Sequence, residues 1–294
     1  MSNSFRFLGL IAIVVLGAVS LSTPAGSIAK TELTAFEACP LASNPFITWS
    51  PAEIECPICK TKNTFMVWGS YGSYIYQFPS KYQLVFWPHT DSQSWYSCQK
   101  CRYTAFMGNF ADFPQEKIAE LQKLLEGERL SPQKGKQYEE VGKIAPYLSI
   151  PVSDRLRVIE KIDRLLGHTG DQYLSHFYRV LAYHLAAEQK QTDADEARRK
   201  VLSINERQLN DKANEGLQKD LMFIAGAMHH FLRDDVQALK DFEAAKKLKY
   251  ANGSLKAEQN KNYNEYLSHL IDEYLDLIRK GKGPRERTDN AFID

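Results

Sequence analysis

Four of the five cysteines in this 294-residue chain fall into two C-x2-C pairs. These are Cys56-Pro57-Ile58-Cys59 and Cys98-Gln99-Lys100-Cys101, with 38 residues between them. A C-x2-C turn lets two sulfurs converge on one ion while nearby backbone amides stabilise the thiolate charge. Two such turns supply four soft ligands, the donor set of a closed tetrahedral zinc site. A closed site holds structure, because it leaves no coordination position open for a substrate. Cys56, Cys59, Cys98 and Cys101 are therefore the expected ligands of one structural Zn2+. Pro57 suits the tight turn of the first pair. A small module of this kind has little core of its own, so metal binding contributes directly to its folding.

The same residues support other chemistry. C-x2-C is also a redox motif, and exported thiols tend to be oxidised. Structural disulfides within or between the pairs, another metal, and thiol–disulfide exchange all remain open. Against a redox enzyme, neither pair opens a predicted helix in a βαβ setting. Cys39 is left over, as a free thiol or as a partner if the four are disulfide-bonded. His89 lies between the pairs and is an alternative ligand. His184, His229 and His230 fall on predicted helix faces, where packing or surface roles are expected. There is no nucleophile elbow, phosphate loop or HExxH, so no catalytic or cofactor-binding residue is assigned. Asp234-Asp235 and Glu139-Glu140 read as helix starts or solvated faces.

The elements that must position the cysteines read as short strands. Thr64–Trp68, Tyr74–Tyr76 and Gln83–Trp87 have strand composition and are separated by Gly69, Gly72, Pro79 and Pro88. All four tryptophans (Trp49, Trp68, Trp87 and Trp95) fall between residues 46 and 113. Local charge is nearly balanced, which disfavours a stacking platform for nucleic acid and favours packing of these rings in a small core.

After Pro114 the pattern becomes helical. Helices are predicted over 115–130, 136–148, 153–166, 171–189, 192–209, 216–232, 235–249 and 255–279. In the third, Leu156, Ile159, Ile162 and Leu166 form one stripe, with Ser153 as N-cap and Gly167 as stop. Residues 219–252 fit a tetratricopeptide hairpin: Gly226 and Ala238 allow close crossing and Phe242 fills the gap beside them. A weaker copy runs from Tyr178 to Asp211, with Leu185 where a small residue would stand.

The N-terminus has the order of a secretory signal peptide. Met1 to Arg6 is short and basic, Phe7 to Leu21 is apolar, and small residues follow at Ser27 and Ala29. Cleavage is expected after Ala29, placing the body outside the cytoplasm, periplasmic or secreted. The rival is an uncleaved membrane anchor, although fifteen apolar residues fall short of the ~20 that span hydrocarbon. The expected organisation is a signal peptide over 1–29, an irregular lead-in over 30–51, a zinc-ribbon-like module over 52–113, a tetratricopeptide-like helical domain over 114–280 and a loose tail over 281–294. The fold class is α+β, mainly α. A net charge of +1 provides no field for nucleic acid or an acidic surface.

Cys56-Pro57-Ile58-Cys59, followed after a long spacer by Ser94-Trp95-Tyr96-Ser97-Cys98-Gln99-Lys100-Cys101-Arg102-Tyr103-Thr104-Ala105-Phe106 and by Asp112-Phe113, resembles the bacterial domain of unknown function 2225 family. The resemblance covers about residues 52–250. It implies a zinc-ribbon-type module joined to tetratricopeptide-like helices, no established activity, and metal ligation by the same four cysteines. The family tends to place glycine after the second cysteine of each pair, and here Lys60 and Arg102 stand there. The combined expectation is an exported zinc-binding scaffold that engages a protein partner or envelope component through its repeats. The alternative is an extracytoplasmic thiol–disulfide oxidoreductase or redox sensor.

Overall fold

The computed structural model describes residues 47–71 and 80–284. The expected signal peptide, Cys39, the Tyr74–Tyr76 run and residues 285–294 of the tail lie outside the described residues, as does the lead-in up to Phe46. The described chain has two small antiparallel sheets near its N-terminus followed by a helical array, an α+β fold that is mainly α.

Strand β1 (Ile47–Glu55) pairs with β2 (Lys62–Tyr71), and β3 (Trp95–Ser97) pairs with β4 (Thr104–Phe106). β1 begins inside the stretch expected to be irregular. Pro51 is compatible with it because a two-stranded sheet leaves the outer edge without a ladder to donate to, and Pro51 is exposed there. The strand expected at Gln83–Trp87 is absent. Ser80–Gln83 instead forms a 3-10 turn, and Leu84 follows with φ of 50°. The carbonyls of Gln83 and Leu84 accept bonds from the buried Arg179 Nη1 at 2.8 and 3.2 Å, which replaces a strand ladder.

The eight described α-helices are α1 (Ile118–Leu124), α2 (Lys136–Ile144), α3 (Val152–Leu166), α4 (Asp171–Ala187), α5 (Gln191–Asn210), α6 (Gln218–Phe231), α7 (Asp235–Lys247) and α8 (Ala257–Arg279). α1 is shorter than expected. α2 stops at Ile144 because Pro146 forces Ala145 into an extended conformation, and a separate 3-10 turn covers Pro146–Ser149. Ser153 is not the N-cap of α3, which begins at Val152 after Pro151. Its N–H and hydroxyl both donate to the Glu188 carboxylate, at 3.0 and 2.5 Å, so a side chain from just beyond α4 satisfies one of the orphan donors of α3. Gly167 closes α3 with φ of 76°.

α6 and α7 form the closely crossed hairpin expected from their small residues. A Cβ on Gly226 would lie 3.0 Å from the Phe242 ring, and Ala238 and Phe242 are fully buried. α4 and α5 form the preceding hairpin, with Leu185, Ala194, Ala197 and Val201 all buried.

Two apolar cores result. The larger joins α3 to α8 with Tyr82, Val85 and Trp95. The smaller joins the strands to α1, the Pro146–Ser149 turn and α3. α3 serves both: Leu156 and Ile159 face the larger core, Val158 and Ile162 the smaller.

Candidate metal centre

Each cysteine pair is the turn of a hairpin. Glu55 and Lys62 close the β1–β2 register around the first pair, and Ser97 and Thr104 close β3–β4 around the second. The turns repeat one hydrogen-bond pattern. In the first, Cys56 N–H donates to Thr61 O at 2.9 Å and Lys60 N–H to Cys56 O at 3.0 Å. In the second, Cys98 N–H donates to Tyr103 O at 2.8 Å and Arg102 N–H to Cys98 O at 3.1 Å. Lys60 and Arg102 have φ of 59° and 67°. Both side-chain-bearing residues thus adopt the left-handed conformation that glycine would adopt more easily, and the turn geometry is kept.

The hairpins bring all four sulfurs together. Cys56 Sγ lies 3.6 Å from Cys101 Sγ, and Cys59 Sγ lies 3.5 Å from Cys98 Sγ. Each close pair joins one turn to the other, so the turns share a single centre. The four sulfurs lie within 4.8 Å of one another. A regular tetrahedron with arms of ~2.3 Å has edges of roughly 3.8 Å, so this donor set fits one four-coordinate ion. A disulfide needs an S–S distance of about 2.05 Å, and all four cysteines are free. Cys56 and Cys98 are buried, while Cys59 and Cys101 are partly exposed.

The clustered thiols perturb one another. The neighbouring Cys101 and Cys56 thiols hold Cys98 far below the ordinary thiol range. Cys101 is driven far up by Cys56, Cys98 and burial. Cys101 lowers the Cys56 thiol, but Cys98 and burial outweigh it and push it up to about 12. Four thiolates at this spacing need a cation between them.

The chain matches no family model, no curated protein and no solved structure.

His89 does not join the cysteines. Its ring packs 4.8 Å from Phe106 and 5.5 Å from Trp95, and burial lowers its pKa to about 4. His184 is a packing residue as expected, donating from Nε2 to the His89 carbonyl at 2.7 Å. His229 and His230 pair with Asp241 and Asp235, each at 2.6 Å.

Two residues that sequence reasoning passed over complete the centre. Asn63 spans both turns: Nδ2 donates to Thr61 O at 2.8 Å and approaches Cys98 Sγ at 3.6 Å, and Oδ1 accepts from Gln99 N–H at 3.0 Å. Its signal was a strand-averse asparagine in a run of strand formers. Below the metal centre, Phe65 stacks on Tyr96 at 4.2 Å, with Phe110 and Tyr147 edge-on to both rings.

Arg155 is the second. It is fully buried on α3 and donates from Nη1 to the carbonyls of Ser92, at 2.8 Å, and Trp95. Its guanidinium lies 5.2 Å from the Tyr147 ring centroid, and burial lowers its pKa to about 10. It ties the strand leading into the second cysteine pair to the helical array. An isolated arginine beside an apolar stripe gives no sequence signal of this.

Proposed function

We propose that this chain is an exported protein in which a structural zinc ion braces the N-terminal end of a tetratricopeptide-like helical array, and that the array binds another protein or a cell-envelope component. The observation that carries the reading is the convergence of four sulfurs, from two hairpin turns, on one centre packed against α3. Soft thiolates in a closed four-coordinate set suit zinc over hard cations. With no ligand position left open, the ion acts by holding the two hairpins together, and Arg155 and the shared core of α3 pass that order to the array. Export rests on the charged, apolar and small-residue order of residues 1–29. No helix among the described residues is long and apolar enough to cross a membrane.

The test is metal content measured alongside thiol titration on the protein purified without chelator. One zinc per chain, with four thiols appearing when the metal is stripped, is the expected result. Zinc-free protein that cycles between thiol and disulfide and reduces a disulfide substrate would contradict it and favour the oxidoreductase.

A further inference from the structure

The metal centre is not evenly covered. Cys56 and Cys98 are buried; Cys59 Sγ lies 3.3 Å from the Thr61 hydroxyl and Cys98 Sγ lies against the Asn63 amide. Cys59 and Cys101 are both partly exposed, but of the four cysteines Cys101 is the one that forms part of the wall of an open cleft of about 570 Å³ between the second cysteine turn and the end of α1 with the segment after it. Around it stand Lys100, Arg102 and Lys123, opposed by Glu126 and Glu128. Glu128 is already paired with Lys161, so the free charge of the rim is positive. Lys100 and Lys123 are exposed.

This charge has a physical use. A divalent ion held by four thiolates carries two net negative charges, which repel an anionic ligand approaching the metal. A cationic rim offsets that repulsion and raises the local concentration of such ligands. We propose, building on the metal reading above, that this cleft is the route by which the metal is loaded and withdrawn, that Cys101 is the ligand that yields first, and that the exchanging molecule is a small polycarboxylate chelator. The step is a ligand substitution. A carboxylate oxygen bonds to the metal as the bond to Cys101 Sγ breaks, the freed thiolate takes a proton from solvent, and no electrons are transferred.

The test uses the purified full chain loaded with zinc, its stoichiometry measured first, and the double variant K100E/K123E. Zinc transfer is followed to nitrilotriacetate, which is anionic, and to 1,10-phenanthroline, which is neutral. Transfer to nitrilotriacetate should slow about three- to ten-fold in the variant at low salt, and the difference should vanish near 1 M salt. Transfer to phenanthroline should be unchanged. Alkylation with iodoacetamide during transfer, read by peptide mass spectrometry, should label Cys101 before Cys59. One bound zinc with no charge selectivity, or with Cys59 labelled first, overturns the cleft route and leaves the metal reading standing. No bound zinc overturns both.

Discussion

Lys60 and Arg102 each follow the second cysteine of a pair and hold a left-handed backbone that disfavours a side chain. Lys60→Gly and Arg102→Gly should each stabilise the loaded protein by about 1 kcal/mol, as relief of strain outweighs the added freedom of the unfolded chain. Urea unfolding of each variant measures this, and a loss of stability would show that the side chains contribute more than they strain. Cys98→Ser takes away a ligand whose sulfur sits against both Cys59 and Asn63. It should abolish stoichiometric zinc binding, read by metal analysis, and loosen the packing of Phe65 on Tyr96, read by near-UV circular dichroism. The convergence of the four sulfurs was legible from spacing, since each C-x2-C turn can aim two sulfurs at one point. Asn63 and Arg155 were not, because each acts on backbone groups that only the folded chain brings near.

At the level of elements, the α6–α7 hairpin and α3 are the parts most open to test. Ala238→Leu should destabilise by about 1–3 kcal/mol, by overpacking a crossing already filled by the Phe242 ring beside Gly226. Phe242→Ala should cost roughly 3–5 kcal/mol through the cavity it leaves, while the exposed change Lys247→Ala should stay within about 0.5 kcal/mol. Thermal melts of the three variants decide it. Arg155→Ala leaves the Ser92 and Trp95 carbonyls without their donor and opens a void under Tyr147. It should cost about 3–5 kcal/mol in chemical unfolding, and a variant that unfolds like the parent would show that the cores are not joined there. Helix positions were readable from their 3.6-residue period. The apolar run at Gln83–Trp87 misled because strand composition says nothing of Arg179, whose guanidinium takes the carbonyls a ladder would have used. The single stripe expected on α3 divides between the two cores, Leu156 and Ile159 in the larger and Ile162 and Leu166 in the smaller, where Val158 joins them.

For the whole molecule, acid should weaken the fold. His89 and His184 are both lowered to about 4 by burial, against about 6.5 in an unfolded chain. Around them stand Trp95, Phe106, His176 and the Arg155 guanidinium, with the Glu188 carboxylate near His184. Between these values the unfolded state binds more protons, so stability is full above pH 6.5 and falls as pH drops toward 4. The loss is on the order of 3 kcal/mol for each histidine across that window. Urea midpoints at saturating zinc between pH 7 and 5 measure it, and His184→Gln should flatten the slope. The order of the parts, cysteine hairpins first and paired helices after, followed from composition. Their union into one body through α3 and Arg155 did not, because it depends on contacts between residues some sixty positions apart. The central claim is that both hairpins share one zinc ion through four sulfurs. X-ray absorption at the zinc edge of the purified protein tests it most directly. The expected spectrum has a single shell of four sulfurs at ~2.3 Å. A shell containing nitrogen or oxygen ligands, or an edge too weak for one zinc per chain, would contradict it.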